Sequence, residues 1–585
     1  MNTLKKYITF TRFHNLYVFI LLTLLVFIVY RSSLGLTLYG DDWLVISKHL
    51  GAYGPGEEMS YWHPNMWFSN YAFQKLIVIP YLVIGKPFSI YFYISLLLRS
   101  LTSFGVYLIS KRFYSNFTAL VTALLFASIS IGSETTDWVY NMNSYLGIFI
   151  ALTGFYIYFA DRKISSALQG WIYIVVGYIT VPIRLYIIPL TMPLLTLFEQ
   201  YFKVGTKEFF KLKYLVRTSL YVIISALPFL ILRSKFPFLG WQNVNSELIG
   251  EGLTKAKNML VLGKYEFLVT PFTNLGKMVF PSGVVELQGI GWRIYPLSHF
   301  LIYGLVLLGL AGVLLSLAFK KSTFNNVIFS FSLSSLLLIA LKLFIKYNSV
   351  DILNEFSYFT WTYFGLIVTA TYTVTIISLL LERNRAVLLY VVSIMFTLSF
   401  LYPWMYSPGF IFSAVDRYLI LSGVGLSILF GTILGHKLTD KRTGKRIASF
   451  VLLLLIFSSQ IVNVQRFFSK QLIGRNVEIY NVIFDKLQDS VPILDKNNMS
   501  LFYFEGFPDE IQESLLRFGF SYHMQLLYDY PFDEEKHPAS VFYEEDLARM
   551  VKTYRIPLSN IYGFKWENGE MVDRTTYARV LADKN

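Results

Sequence analysis

The chain has 585 residues, 55% hydrophobic and only 15% charged, a balance that excludes a single water-soluble fold. It contains no cysteine, which excludes disulfides, thiolate metal sites and cysteine nucleophiles. The net charge of +14 does not point to nucleic acid, because residues 465–585 hold 14 Lys and Arg against 19 Asp and Glu, leaving the first 464 residues an excess of +19. Most of that excess lies in short loops, where it acts as a topology signal facing anionic lipid.

Apolar runs of about 17–25 residues, the length that crosses a bilayer, recur along most of the chain. The amino terminus, MNTLKKYITFTRFHN, is basic, lacks a small-residue cleavage site and leads into a full-length span. It reads as a cytoplasmic start and not as a removable signal peptide. Thirteen spans are expected, at 15–33, 88–110, 116–133, 144–160, 168–183, 185–201, 216–232, 299–319, 325–345, 358–381, 386–402, 418–435 and 447–463. With the amino terminus inside, every second connection should be basic. KRFYSN at 111, DRKISS at 161, KVGTKEFFKLK at 203, KKS at 320, ERNR at 382 and HKLTDKRTGKR at 436 all comply. The connections left outside carry the acids and the irregular sequence.

The first outer loop, 34–87, contains YGDDW, with Asp41 and Asp42, and then YWHPN, with His63, among interfacial aromatics such as Trp62 and Trp67. An Asp pair at the start of a short helix is also what a helix cap looks like. The second outer loop, IGSETTDWVYNMNSYLG, carries Glu134, Asp137 and Trp138, again compatible with capping. Arg184 sits in a very short outer turn, VPIRLYIIPL, where it could snorkel to lipid phosphate or hold the phosphate of a lipid-linked substrate. The large loop 233–298 adds Lys255, Lys257 and Arg293, and the start of the twelfth span adds Asp416, Arg417 and Tyr418. Arg99, inside the second span, is expected to be partnered, since a cation there is costly.

Residues 465–585 lose the long apolar runs. Strand-like patches at MSLFYFEG (499) and FSYHMQLLYDY (520), followed by a hairpin signal at ENGE, predict a small soluble α/β domain. The expected fold is therefore an all-α polytopic membrane domain over 1–464 with an extracytoplasmic α/β domain over 465–585.

Taken in order, these pieces resemble the GT-C superfamily of polytopic glycosyltransferases, most closely its protein O-mannosyltransferase-like branch, which includes the tetratricopeptide-linked mannosyltransferases. YGDDW and YWHPN stand where that branch has an Asp-Asp pair and a Tyr-Arg-Pro element, with His63 in place of Arg. Arg99 stands where the branch usually has His. Glu134 precedes Trp138 by four residues, as in its second outer loop. VPIRLYIIPL corresponds to its Lys-Glu turn before a Pro-bearing helix, with Arg184 substituting, and DRYLIL matches its late Arg-Tyr-Leu element. The resemblance covers 15–210 well and 400–435 moderately; no tetratricopeptide repeats are present, so the C-terminal segment is a different domain.

The resemblance implies transfer of a sugar from a polyprenyl-phosphate carrier to an acceptor hydroxyl of a protein, glycan or lipid on the outer face. The leaving phosphate departs as an anion, so cations must hold it while one carboxylate, Asp41 or Asp42, acts as base. Adjacent side chains on a helix diverge by about 100°, so only one of the two should aim at the acceptor. Similarity to the family favours Asp41, with Asp42 positioning the loop. One displacement with one base predicts inversion. His63, Glu134, Asp137, Trp138, Arg184, Asp416, Arg417 and Tyr418 are the expected substrate-binding residues. No cofactor is expected, although the carboxylates could hold a divalent cation. The expected location is the plasma (inner) membrane of a prokaryote. An O-antigen polymerase or ligase would concentrate its chemistry in a late loop, and a lipid or solute transporter would show intramembrane acids and paired broken helices.

Overall fold

A computed structural model of the chain describes residues 2–49, 79–81, 83, 88–160, 164–235, 246–281, 323–348, 356–528 and 537–584. His63 with its YWHPN element, Trp62, Trp67, Arg293 and the span expected at 299–319 lie outside the described residues. The chain divides into two compact units. One comprises 1–29, 98–134 and 144–464, and the other 30–97, 135–143 and 465–585.

The longer helices up to residue 490 are, in chain order, α1 (Asn2–Tyr30), α2 (Asp41–His49), α3 (Ser89–Lys111), α4 (Asn116–Ser128), α5 (Asn143–Tyr158), α6 (Ile164–Thr180), α7 (Ile188–Val204), α8 (Leu212–Lys235), α9 (Ser246–Val261), α10 (Thr270–Val279), α11 (Thr323–Asn348), α12 (Phe356–Leu381), α13 (Val387–Thr397), α14 (Ile420–Leu438), α15 (Thr443–Arg475) and α16 (Val477–Ser490). Every span expected within the described residues coincides with one of them. Among the described residues seven are long and apolar enough to cross a membrane: His14–Gly35, Ser89–Lys111, Leu212–Ile231, Ser357–Leu381, Val387–Met405, Arg417–Leu438 and Thr443–Arg475. Helices α4 to α7 are shorter, with 13, 16, 17 and 17 residues. At 1.5 Å per residue they reach about 20–26 Å, less than a hydrocarbon core of ~30 Å. Their ends are set by identifiable residues. Val181 turns extended before a one-turn helix, Pro182–Leu185, that starts on proline, and a Ser-Ile-Gly-Ser stretch after α4 leaves the helix at Ile129.

In the first unit, α5 and α6 approach closely through glycines spaced seven apart. A Cβ on Gly154 would lie 2.7 Å from the Gly170 carbonyl, and one on Gly177 the same distance from the Gly147 carbonyl. Small residues let backbones touch where lipid offers no hydrophobic drive to pack. Buried polar groups are stitched to backbone. Gln460 on α15 accepts from the Ser130 amide at 2.8 Å and donates to the Met278 and Val279 carbonyls, holding the chain that leads to Glu134. Arg99 donates to the Tyr145 hydroxyl at 2.7 Å and to the Ile129 carbonyl at 2.5 Å, with its guanidinium over the Phe126 and Tyr145 rings. The basic connections after α3, α12 and α14 share one end of this unit, where Tyr114 meets Tyr390 and His436.

In the second unit a four-stranded sheet has the order β2-β1-β3-β4, with β1 at Leu501–Glu505, β2 at Ala539–Val541, β3 at Ile561–Glu567 and β4 at Glu570–Asp573. The first three strands are parallel, and β4 runs antiparallel to β3. β1 reads LFYF because both of its faces are covered. Leu501 and Tyr503 pack with Leu547, Ala578 and Ala582, while Phe502 and Phe504 meet Phe520. The ENGE signal is a two-residue hairpin, with Asn568 and Gly569 both at positive φ. The patch at 520 is a correction: Phe520–Leu527 is a helix. Its buried residues Phe520, His523 and Met524 follow i, i+3, i+4, a helical stripe that the Phe-Ser-Tyr alternation at its start obscures.

Candidate active site

The expected site residues fall into one cluster in each unit. In the second unit, the chain reaches α2 through Tyr39 and Gly40, and Gly40 takes φ +53, a left-handed turn that aims the helix start. Asp42 is fully buried. Its Oδ2 accepts from the Tyr39 amide three residues back at 3.0 Å, as the third residue of a capping box does, and its Oδ1 accepts from the Tyr140 amide at 2.5 Å. One carboxylate therefore locks the chain before α2 to the chain between α4 and α5. Burial pushes its carboxyl up to about 7, against the pull of the Tyr39 amide, the Arg475 charge and the Tyr140 amide. Asp41, the first residue of α2, is half-buried.

Asp137 lies at the other side of that junction and is also buried. Arg475, the last residue of α15, donates to its Oδ1 at 2.6 Å and to its carbonyl at 3.1 Å. The same guanidinium donates to the Thr37 carbonyl at 2.6 Å and lies 4.7 Å from the Tyr39 ring. Thr37 returns its amide to the Arg475 carbonyl at 2.9 Å. Burial raises the Asp137 carboxyl, and the Arg475 charge opposes it. Trp138, Tyr39 and Phe518 form a three-ring cluster with centroids 5.2–5.7 Å apart. Phe518, in the C-terminal segment, is 43% exposed and covers Gly40.

In the first unit, the chain at 132–134 pairs with 414–417: Gly132 donates to the Ala414 carbonyl and Glu134 to the Val415 carbonyl. Glu134 accepts the Arg417 amide at 3.3 Å and stands 3.7 Å from its guanidinium. Asp416 caps the following turn, accepting from the Tyr418 amide at 2.7 Å. Arg184 is buried, so it does not snorkel; its guanidinium lies 4.0 Å from the Tyr418 ring centre, and that of Arg417 lies 5.2 Å from it. Burial lowers the Arg184 pKa and raises that of Asp416. Two guanidiniums thus face one phenol ring, with Glu134 and Asp416 beside them. Lys255 and Lys257 are exposed on α9.

Arg475, Tyr140 and Phe518 were not singled out in the sequence. Arg475 is 338 residues from Asp137, and its one local sign is a position at the end of a long helix. Among the described residues no three of His, Asp and Glu converge as a metal site requires.

These features define a multi-pass integral membrane protein with a small C-terminal α/β domain. No protein-family model matches the sequence, and no curated protein matches it. Among solved structures, the Archaeoglobus fulgidus oligosaccharyltransferase tethered to an acceptor peptide with the NVT sequon is similar at 15% identity, over 76% of this chain and 59% of that one, with a TM-score of 0.24. The archaeal oligosaccharyltransferase AglB of the same organism, in complex with an inhibitory peptide and a dolichol-phosphate, gives 12%, 95%, 70% and 0.28. The A. fulgidus enzyme in complex with Zn and sulfate gives 13%, 94%, 67% and 0.27. The chain thus spans 59% of the length of the first of these. TM-scores of this size carry no argument for fold or activity, so the functional reading rests on the residues.

Proposed function

We propose that this chain is an integral-membrane glycosyltransferase of the GT-C type. It moves a sugar from a polyprenyl-phosphate carrier to an acceptor hydroxyl on the extracytoplasmic face, with inversion. The observation that carries the reading is the division of labour at the Asp pair. Both oxygens of Asp42 accept amides of the two outer loops, which casts Asp42 as the positioning group, and Asp41, about 100° away at the same helix start, is the proposed base.

In the reaction the acceptor oxygen forms a bond to the anomeric carbon as the bond from that carbon to the phosphate oxygen breaks. The hydroxyl proton passes to Asp41, and the electron pair leaves with the polyprenyl phosphate. Cations must hold the departing anion, and the candidates within the first unit are Arg184 and Arg417, which share the Tyr418 ring, with Glu134 and Asp416 fixing the turn that carries Arg417. Asp137 and Arg475 are positioning residues, since they touch the loops and each other.

The test is reconstitution of the full chain in vesicles carrying a radiolabelled polyprenyl-phosphate sugar, with the released polyprenyl phosphate and the labelled acceptor measured together. Equimolar appearance of both supports transfer. Movement of intact donor across the bilayer with no cleavage would establish a transporter instead.

A further inference from the structure

At the basic end of the first unit a cleft of about 180 Å³ opens between the end of α7 and the turn joining α12 to α13. At ~30 Å³ per water this is room for about six waters, enough for a phosphate and its ester arm. Lys203, Arg383 and Arg385 line it, with Glu199, Tyr201 and Gly205. Glu199 is already engaged: Lys203 lies 3.2 Å from it, and the Tyr158 hydroxyl donates to it at 2.7 Å. The two arginines therefore set the sign of the cleft.

The turn is built to present them. Arg383 takes the left-handed conformation, φ +52, and the Asn384 side chain accepts the Ala386 amide at 2.9 Å. Arg385 is half-buried, and among the described residues its guanidinium has neither a hydrogen-bond nor an ion-pair partner. Cations at helix C-termini serve the macrodipole, and Lys203 in the last turn of α7 does so. That role does not call for a half-buried, unpaired fork of five donors opening on a cleft.

We propose that this cleft binds a phosphate ester, with Arg383 and Arg385 as its ligands. Two sources carry that chemistry: the headgroup of an anionic phospholipid in the adjoining leaflet, and a soluble phosphate ester.

The purified full-length chain, incubated with vesicles of equal parts dioleoyl phosphatidylglycerol and dioleoyl phosphatidylcholine, is examined by native mass spectrometry with and without inorganic phosphate. Wild type is expected to retain phosphatidylglycerol in preference to phosphatidylcholine. At ~1 kcal/mol per cation, Arg383→Gln and Arg385→Gln should each weaken retention about fivefold, and both together about 25-fold. Arg385→Lys, which keeps the charge, should retain most of the binding and serves as the folding control. Selective retention of phosphatidylglycerol that millimolar phosphate does not displace assigns the site to lipid. Arg385-dependent protection by phosphate, with no preference between the lipids, assigns it to a soluble ester. Equal retention of both lipids by wild type together with no effect of phosphate overturns the proposal without recourse to any variant.

Discussion

The Asp137–Arg475 pair ties the end of α15 to the chain at Thr37 and at Asp137, and removing the cation should loosen both segments. Arg475→Met keeps the length of the side chain and removes the donors. It strands the Asp137 carboxylate, the Asp137 carbonyl and the Thr37 carbonyl, all of which the guanidinium now serves. Breaking a buried pair from one side costs about 3–5 kcal/mol, which at 1.4 kcal/mol per decade is a rise in local opening of about two to three and a half orders of magnitude. Hydrogen exchange of peptides covering 36–43 and 137–141 in the detergent-solubilised protein reads that opening directly. Part of the loss should be recoverable by acid. Without Arg475 the Asp137 carboxyl, already raised by burial, rises further. The folded variant then binds its proton more tightly than the unfolded chain does, and stability grows as pH falls, by up to ~1.4 kcal/mol per unit. Asp137→Asn in the same background should restore protection at neutral pH. A loss in Arg475→Met below about 1 kcal/mol, or one that Asp137→Asn leaves unchanged, would refute the buried pair as the clasp between the loops.

Asp42→Asn offers one carbonyl to two amides and sets its NH2 against the other, so the Tyr39–Asp42 turn should lose about 1–3 kcal/mol of protection. In wild type the Asp42 carboxyl is raised from 3.8 to about 7, so the stability linked to its proton is fully present below pH 3.8 and is lost as pH rises through 7. Exchange of residues 39–42, corrected for its intrinsic pH dependence, should show that decline and lose it in Asp42→Asn. Gly40→Ala places a methyl on the Phe518 ring at a positive φ and should cost about 2–4 kcal/mol. Phe518→Ala in that background should recover the steric share, seen as a partial return of the thermal midpoint. Arg184→Gln should lower kcat/KM for the lipid-phosphate donor by about 10–150-fold, the worth of one charge-assisted hydrogen bond of ~1.5–3 kcal/mol, with little change in the dependence on acceptor.

The helices were legible because lipid leaves few choices: runs of the right length and charges at alternate ends locate α3, α12 and α14 to within a few residues, while α1 begins at Asn2, well before the expected span at 15–33. The Asn568–Gly569 hairpin was legible for the equally local reason that two consecutive positive φ values favour those residues. What was hidden is long-range. Nothing near Arg475 indicates an acid 338 positions earlier, and nothing in YGDDW tells which acid faces two amides. The helix at 520–527 was misread because its first residues alternate while its burial repeats every three to four. Of the Asp pair, Asp42 holds the turn, through the Tyr39 and Tyr140 amides, and Asp41 is the proposed base.

The most direct measurement is single-turnover transfer from a polyprenyl-phosphate sugar in reconstituted vesicles, comparing wild type with Asp41→Asn and Asp42→Asn. The account predicts that Asp41→Asn loses the bond-forming step by about 10²–10⁴-fold, the worth of a positioned general base, while its loops keep wild-type exchange protection. Asp42→Asn should lose protection of residues 39–42 and recover activity in part on cooling. Full transfer by Asp41→Asn would contradict the assignment of the base, and the division of labour at the Asp pair would fall with it.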